Sequence, residues 1–289
     1  MAEPGLLLIR GLGHSGSTIL DLALGAHPQV VGLGEAVRVL ERPRDGESHK
    51  GPQQLRGDLR FERRCTCGEL AGDCPVWGPI LSWLPAQDDR PLEEKFNRLI
   101  EPLNANSPRW LVESFQADEQ LLAAQALGRP LRVIHLTRDV RSWVHSESRR
   151  GVERHGRGGT VGWRSMLRWW RVNRRLDQRL KRSGHPVFRL GYEELALAPE
   201  QALRQLCAWL EIAFDPAMLQ PGLNSSSYIV SGNRMRFDSG QCQAIRYDAA
   251  WLSSSALSLR FAPLIPSVAQ LNRRLVYGNG LLGDTWPCV

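Results

Sequence analysis

The 289-residue chain has no apolar run near the roughly 20 residues that cross a bilayer as a helix. Its first apolar stretch, Leu6-Leu7-Leu8-Ile9, is too short for the core of a secretory leader and follows no basic segment. A cytoplasmic protein with no membrane span is therefore expected. Lysine is nearly missing: among 37 Lys and Arg residues only Lys50, Lys95 and Lys181 are lysine. No internal repeat and no linker divides the chain. Apolar and charged content lie in the ordinary globular range, which excludes a disordered or collagen-like chain.

The formal net charge is +7 and is carried by arginine. A planar guanidinium fork suits phosphate and carboxylate, so either an anionic ligand or simple genome composition explains the bias. The six cysteines, Cys65, Cys67, Cys74, Cys207, Cys242 and Cys288, read as reduced thiols rather than a disulfide framework in a chain of this size.

Short apolar runs alternate with helical patterns. Strands are expected at Gly5 to Arg10, Val30 to Leu33, Trp110 to Glu113, Leu131 to Leu136 and Pro186 to Leu190. Helices are expected at Thr18 to Gly25, Asp118 to Leu127, Val140 to Arg149, Val161 to Lys181 and Pro199 to Leu210. This order implies an α/β fold: a single P-loop-like domain over 1–289 with a central, mainly parallel sheet flanked by helices. Arg42 to Arg64 is polar and rich in Gly, Pro and charge, so an exposed insertion is expected over about 42–80.

The first strand runs into Gly11-Leu12-Gly13-His14-Ser15-Gly16-Ser17-Thr18 and then into a helix. A strand, a glycine turn and a helix N-terminus present backbone N–H groups and a positive dipole end to an anion. The spacing is that of a P-loop, but Ser17 stands where a Walker A loop has lysine. Without that lysine, and with no evident Mg²⁺-binding Asp on a strand, nucleoside triphosphate chemistry lacks its usual charge neutralisation. A sulfuryl group, with less charge on its oxygens, suits main-chain amides better; a glycine turn serving only as a tight connection is the plainer alternative.

At these residues the chain resembles the PAPS-dependent sulfotransferases, bacterial members included. Gly11 to Glu35 is similar to their 5′-phosphosulfate segment. Leu136-Thr137-Arg138-Asp139-Val140, with Ser146 eight residues beyond Arg138, is similar to their 3′-phosphate segment. Trp170 to Asn173, Tyr192 to Leu195 and Gly232 to Phe237 extend the resemblance over nearly the whole chain, and Arg236 is by resemblance a second 3′-phosphate ligand. The resemblance implies the donor PAPS, the product PAP and no metal requirement. Gly13, His14, Ser15, Gly16, Ser17, Thr18, Arg138, Ser146 and Arg236 would bind the donor.

The attacking hydroxyl must lose a proton, so a general base is needed. Gly34-Glu35-Ala36-Val37-Arg38 resembles the Gly-Glu-x-x-Arg of tyrosyl-protein sulfotransferases, which makes Glu35 the candidate base; a carboxylate that merely meets a helix dipole is the alternative. Two departures stand out. His14 occupies a position where the family carries Lys or Arg, and would stabilise the leaving group. Gln116 occupies that of a second family lysine. Asp139 is expected near a helix start, as a cap.

Cys65-Thr66-Cys67-Gly68 and Cys74-Pro75-Val76-Trp77 place three thiols close in sequence, with His49 upstream and Cys242 far downstream as candidates for a fourth zinc ligand. A local disulfide or plain buried thiols are equally open, and no metal ligand is assigned. The function expected is sulfuryl transfer from PAPS to a small-molecule, carbohydrate or peptide acceptor. The rivals are a catalytically impaired PAPS- or PAP-binding protein and a P-loop nucleotide kinase. The basic 161–181 helix lacks the aromatic and basic alternation of a nucleic-acid stacking surface, so no nucleic acid is expected as partner.

Overall fold

The structure is a computed structural model that describes residues 3–43, 52–61, 63–116, 129–155, 161–224, 227–254 and 256–282. In chain order the elements are β1 (Gly5–Arg10), α1 (Ser17–Gly25), β2 (Val30–Gly32), α2 (Ala36–Leu40), α3 (Pro52–Phe61), α4 (Trp77–Trp83), α5 (Leu92–Ile100), β3 (Trp110–Glu113) and β4 (Leu131–Thr137). Then come α6 (Val140–His155), α7 (Val161–Arg182), β5 (Val187–Gly191), α8 (Tyr192–Leu197) and α9 (Pro199–Leu210). The remaining helices are α10 (Pro221–Asn224), α11 (Ser239–Cys242), α12 (Leu257–Phe261) and α13 (Pro266–Val276). The helix expected at Asp118 to Leu127 falls outside the described residues.

The fold is α/β, with a five-stranded sheet in the order β2-β3-β1-β4-β5. Contacts group the chain into two compact units. The first comprises Met1–Ile9, Thr18–Arg132 and Asp215–Ala244; the second comprises Arg10–Ser17, Val133–Phe214 and Ile245–Val289.

In the first unit β3 pairs in parallel with β1, Leu7 opposite Val112, and with β2, Val31 opposite Leu111. All six residues of β1 and all four of β3 are buried. A strand covered on both faces needs a continuous apolar run rather than an alternating one, and Leu6-Leu7-Leu8-Ile9 is such a run. The described residues of the 42–80 stretch include both exposed and buried positions. Pro52–Phe61 is helical, and Leu55, Arg56, Cys65, Ala71, Cys74, Val76, Trp77 and Ile80 are buried. Arg56 is buried with its charge answered: Nη1 reaches Asp88 Oδ1 at 2.6 Å and Nε donates to Val39 O at 2.8 Å.

In the second unit β4 and β5 pair in parallel from Val133 opposite Val187 to Thr137 opposite Gly191. Their helices bury a cluster that includes Val140, Trp143, Trp169, Leu271 and Val276, and Leu12 of the glycine loop belongs to it. That apolar anchor ties the loop to the core.

Candidate functional site

The glycine loop and Arg138 lie together in the second unit. Gly11 is required by close approach: a Cβ there would sit 2.2 Å from the Leu136 carbonyl oxygen. Gly16 is required by backbone conformation, with φ +96°. His14 also has a left-handed φ of 71°, a conformation that costs a non-glycine residue on the order of 1 kcal/mol. The Leu12 carbonyl accepts the Ser15 amide at 3.2 Å, and the Gly13 carbonyl accepts Trp143 Nε1–H at 2.9 Å. Two turn carbonyls are thereby occupied. Ser17 opens α1, so the loop ends on a helix N-terminus with its dipole.

Arg138 ends the β4 segment and is buried. Its Nε donates to Ser142 Oγ at 2.8 Å, its Nη1 to His14 O at 3.2 Å, and its Nη2 pairs with Asp248 Oδ2 at 2.5 Å. The guanidinium also lies 5.1 Å from the centre of the Tyr192 ring. Burial, first, pushes the Tyr192 hydroxyl up to about 12, so the ring stays neutral beneath the cation. The hydroxyl that meets Arg138 belongs to Ser142, one helical turn before Ser146, which is half-buried on α6. Asp248 carries a side chain that is 46% exposed and was not foreseen: it lies 110 residues from Arg138 in sequence. No local motif could have flagged that pairing.

Asp139 does cap α6, its Oδ1 accepting the Arg141 amide at 2.8 Å. Its other oxygen accepts Asn272 Nδ2 at 2.9 Å and the Tyr277 hydroxyl at 2.8 Å, and Arg141 pairs with it at 2.9 Å. Burial alone would raise Asp139, but the Arg141 hydrogen bonds and charge hold it below the usual carboxylate range. The Asp139 amide donates to Glu193 Oε2 at 2.8 Å. Burial, followed by the Asp139 charge, pushes Glu193 up to about 8, so one of these two neighbouring carboxyls keeps its proton at neutral pH. The cluster fixes the start of α6 and thereby the backbone that carries Arg138.

Glu35 lies in the first unit, in the residue before α2, and its side chain makes no cap. Oε2 accepts Arg38 Nη1 at 3.0 Å and Ser231 Oγ at 3.2 Å, while the Glu35 amide donates to Ser231 O at 3.0 Å. These contacts engage one carboxylate oxygen and leave Oε1 outside them. Asp21 is fully buried on α1 and accepts Ser114 Oγ at 3.0 Å. Burial, its largest cause, pushes Asp21 up to about 7 against the Ser114 hydrogen bond, and the Glu35 charge adds to the rise. Sequence inspection passed over Asp21 because an acid inside Ile19-Leu20-Asp21-Leu22 carries no motif.

Gln116 donates Nε2 to Ile9 O at 3.2 Å and to Ser114 O at 2.7 Å, so this amide ties the ends of β1 and β3 together. Arg236 is buried, donating Nη1 to Gly232 O at 2.9 Å and Nη2 to Val230 O at 3.0 Å. Its guanidinium closes its own turn.

Cys65, Cys67 and Cys74 gather their sulfurs within 4.8 Å of one another, and the five cysteines among the described residues are free thiols. The Cys65 and Cys74 sulfurs are 3.6 Å apart. The hydrogen bond with Cys65, then the amides of Trp77 and Val76, pull the Cys74 thiol down to about 6 against burial. Cys242 stands apart, its thiol donating to Met235 O at 2.7 Å; His49 falls outside the described residues.

Among the described residues no helix is long and apolar enough to cross a membrane. Comparison with solved structures finds the sulfotransferase domain of the Synechococcus PCC 7002 olefin synthase, at 20% identity and TM-score 0.58, covering 94% of this chain and 95% of that one. The sulfotransferase domain of the curacin biosynthetic pathway is similar at 20% identity and TM-score 0.58, with 95% of this chain and 98% of that one covered. At these identities the likeness speaks for the fold. No curated protein matches by sequence. The profile described as "Sulfotransferase family" matches residues 6–216, most of the chain, and the chain belongs to the sulfotransferase family.

Proposed function

We propose that this sulfotransferase draws its sulfuryl group from PAPS and delivers it to a hydroxyl acceptor, releasing PAP and a sulfate ester. The observation that carries the reading is the hydrogen bond from Arg138 Nη1 to His14 O at 3.2 Å. It couples a phosphate-type loop to an arginine fork, two anion-binding elements where PAPS has two anionic ends. The loop fits an anion: Gly13 has open space where a Cβ would stand, and Ser17 and Thr18 begin a helix. Ser17, where a Walker A loop has lysine, favours this donor over a nucleoside triphosphate.

When bound, PAPS supplies a sulfur open to in-line attack. Main-chain N–H groups of Gly13 to Thr18 would hold the phosphosulfate, with the α1 dipole behind them. Arg138, braced by Ser142 and Tyr192, would hold the 3′-phosphate through the nitrogen that Asp248 now engages, with Ser146 and Arg236 as further candidates. Glu35 Oε1 would take the proton of the acceptor hydroxyl as the new O–S bond forms and the bridging S–O bond breaks, its electron pair leaving with PAP. Arg38 and Ser231, both on Oε2, orient the carboxylate. His14 would donate a hydrogen bond or a charge to the departing oxygen. One observation favours a second reading, a PAP-binding protein that no longer transfers: Gln116 offers a neutral amide already committed to two carbonyls.

Thermal stabilisation by PAP, ATP and AMP tests the donor. PAP should give the largest shift, and Arg138→Lys, which keeps a charge and loses the fork, should lose most of it. Equal shifts for the three nucleotides would remove PAPS from the reading. Glu35→Gln should abolish transfer and keep the PAP shift; full activity in that variant would remove Glu35. A PAP shift with no transfer to sugar, phenol, lipid or tyrosine-peptide acceptors would select the second reading.

A further inference from the structure

We propose that Cys65, Cys67 and Cys74 form a three-thiolate site for a single Zn²⁺ ion, which fastens the 227–231 segment that steadies Glu35. Zinc–sulfur bonds of about 2.3 Å put tetrahedral ligand sulfurs roughly 3.8 Å apart. The Cys65 and Cys74 sulfurs are already 3.6 Å apart, and all three lie within 4.8 Å of one another. A disulfide would use two of these thiols and leave Cys67 unexplained. Plain burial does not explain it either, because Cys67 is exposed.

Backbone N–H groups lie beside each of the three sulfurs. Cys65 receives the Cys67 amide, Cys67 the Glu69 amide, and Cys74 the amides of Val76 and Trp77 at the start of α4. Gly68 donates its amide to Cys65 O at 3.0 Å and turns the chain with φ +101°, which brings the Cys67 sulfur round to the other two. N–H donors on coordinated sulfur are the outer-shell contacts that orient thiolates toward a metal. Soft thiolates select zinc over the oxygen-seeking Mg²⁺ and Ca²⁺. No other His, Cys, Asp or Glu among the described residues joins the group. With Cys67 exposed, the fourth position takes water. Binding Zn²⁺ displaces the remaining thiol protons to solvent.

The ion would matter because of what the knuckle grips. Thr66, between the first two cysteines, donates its amide to Ile229 O at 3.2 Å and its hydroxyl to Ser227 O, and accepts the Ile229 amide at 2.9 Å. Trp77, three residues past Cys74, donates Nε1 to Tyr228 O at 2.6 Å. That strip of backbone ends at Ser231, which receives the Glu35 amide and donates its hydroxyl to Glu35 Oε2. A chain of hydrogen bonds within the first unit thus runs from the sulfurs to Glu35.

The test needs no donor or acceptor, so its failure is separable from that of the proposed reaction. The full chain, purified without a histidine tag and with thiols kept reduced, should retain a single zinc per chain by elemental mass spectrometry. Replacement with Co²⁺ should produce a thiolate-to-cobalt charge-transfer band in the near ultraviolet and strong tetrahedral ligand-field bands in the visible. Cys67→Ser, at an exposed position that folding tolerates, should abolish or strongly reduce both, and Cys207→Ser should leave them unchanged. Absence of zinc together with absence of the cobalt bands would overturn the site. So would unaltered bands in Cys67→Ser, or a Cys65–Cys74 disulfide in protein isolated without reductant.

Discussion

Replacing Asp21 by Asn should flatten the pH dependence of folding stability. In the unfolded chain this carboxyl has its ordinary value of 3.8, whereas burial raises it to about 7 in the fold. Below pH 3.8 both states hold the proton and the residue contributes no slope. Between 3.8 and 7 the unfolded chain releases the proton while the folded protein keeps it, so stability falls as pH rises. Each pH unit costs about 1.4 kcal/mol, and the difference of about three pH units amounts to at most about 4 kcal/mol by pH 8. Asn is neutral in both states and removes that loss. It alters the single Ser114 contact at 3.0 Å, an offset of about 1 kcal/mol that does not vary with pH. Urea unfolding of both proteins at intervals from pH 4.5 to pH 8.5 reads the difference directly. The Asp21→Asn variant should gain on the parent from pH 4.5 to about 7 and hold that gain at higher pH. Parallel stability curves would show that Asp21 ionises freely in the fold, and the argument from burial would fail.

Two further outcomes follow from the arginine and the loop. Asp248→Asn removes the charge that competes for Arg138 Nη2; a half-exposed pair of this kind is worth about 0.5–1 kcal/mol, so PAP should bind roughly two- to five-fold more tightly by calorimetry, and weaker binding would make Asp248 a donor contact instead. Gly11→Ala drives a Cβ to 2.2 Å from Leu136 O, a backbone atom that no rotamer change relieves; a loss of about 1–3 kcal/mol together with loss of the PAP-induced thermal shift is expected, and a variant as stable and responsive as the parent would contradict the geometry.

The strands were legible because parallel strands covered on both faces demand unbroken apolar runs, and β1 and β3 have them. Long helices such as α7 and α9 were legible from their periodicity and stops. The glycine loop was legible because few residues tolerate its conformations, although the sequence could not say that Leu12 would anchor it or that Trp143 would hold a loop carbonyl. Within the polar 42–64 stretch, burial of Arg56 depends on Asp88, 32 residues away, and composition carries no trace of such a pairing.

The same division holds for the feature at the centre of the proposed site. Residue type and local spacing alone determined that Gly11 to Thr18 forms a turn at a helix start and that Arg138 follows a strand, since both depend on short-range sterics and hydrophobic pattern. Tertiary structure decided what Arg138 touches: the Ser142 hydroxyl, the His14 carbonyl, the Tyr192 ring and Asp248. Those partners are chosen by how β4, α6 and the 245–253 segment pack. A guanidinium placed among several acceptors settles on those that packing brings within hydrogen-bond reach, and no window of sequence contains that information.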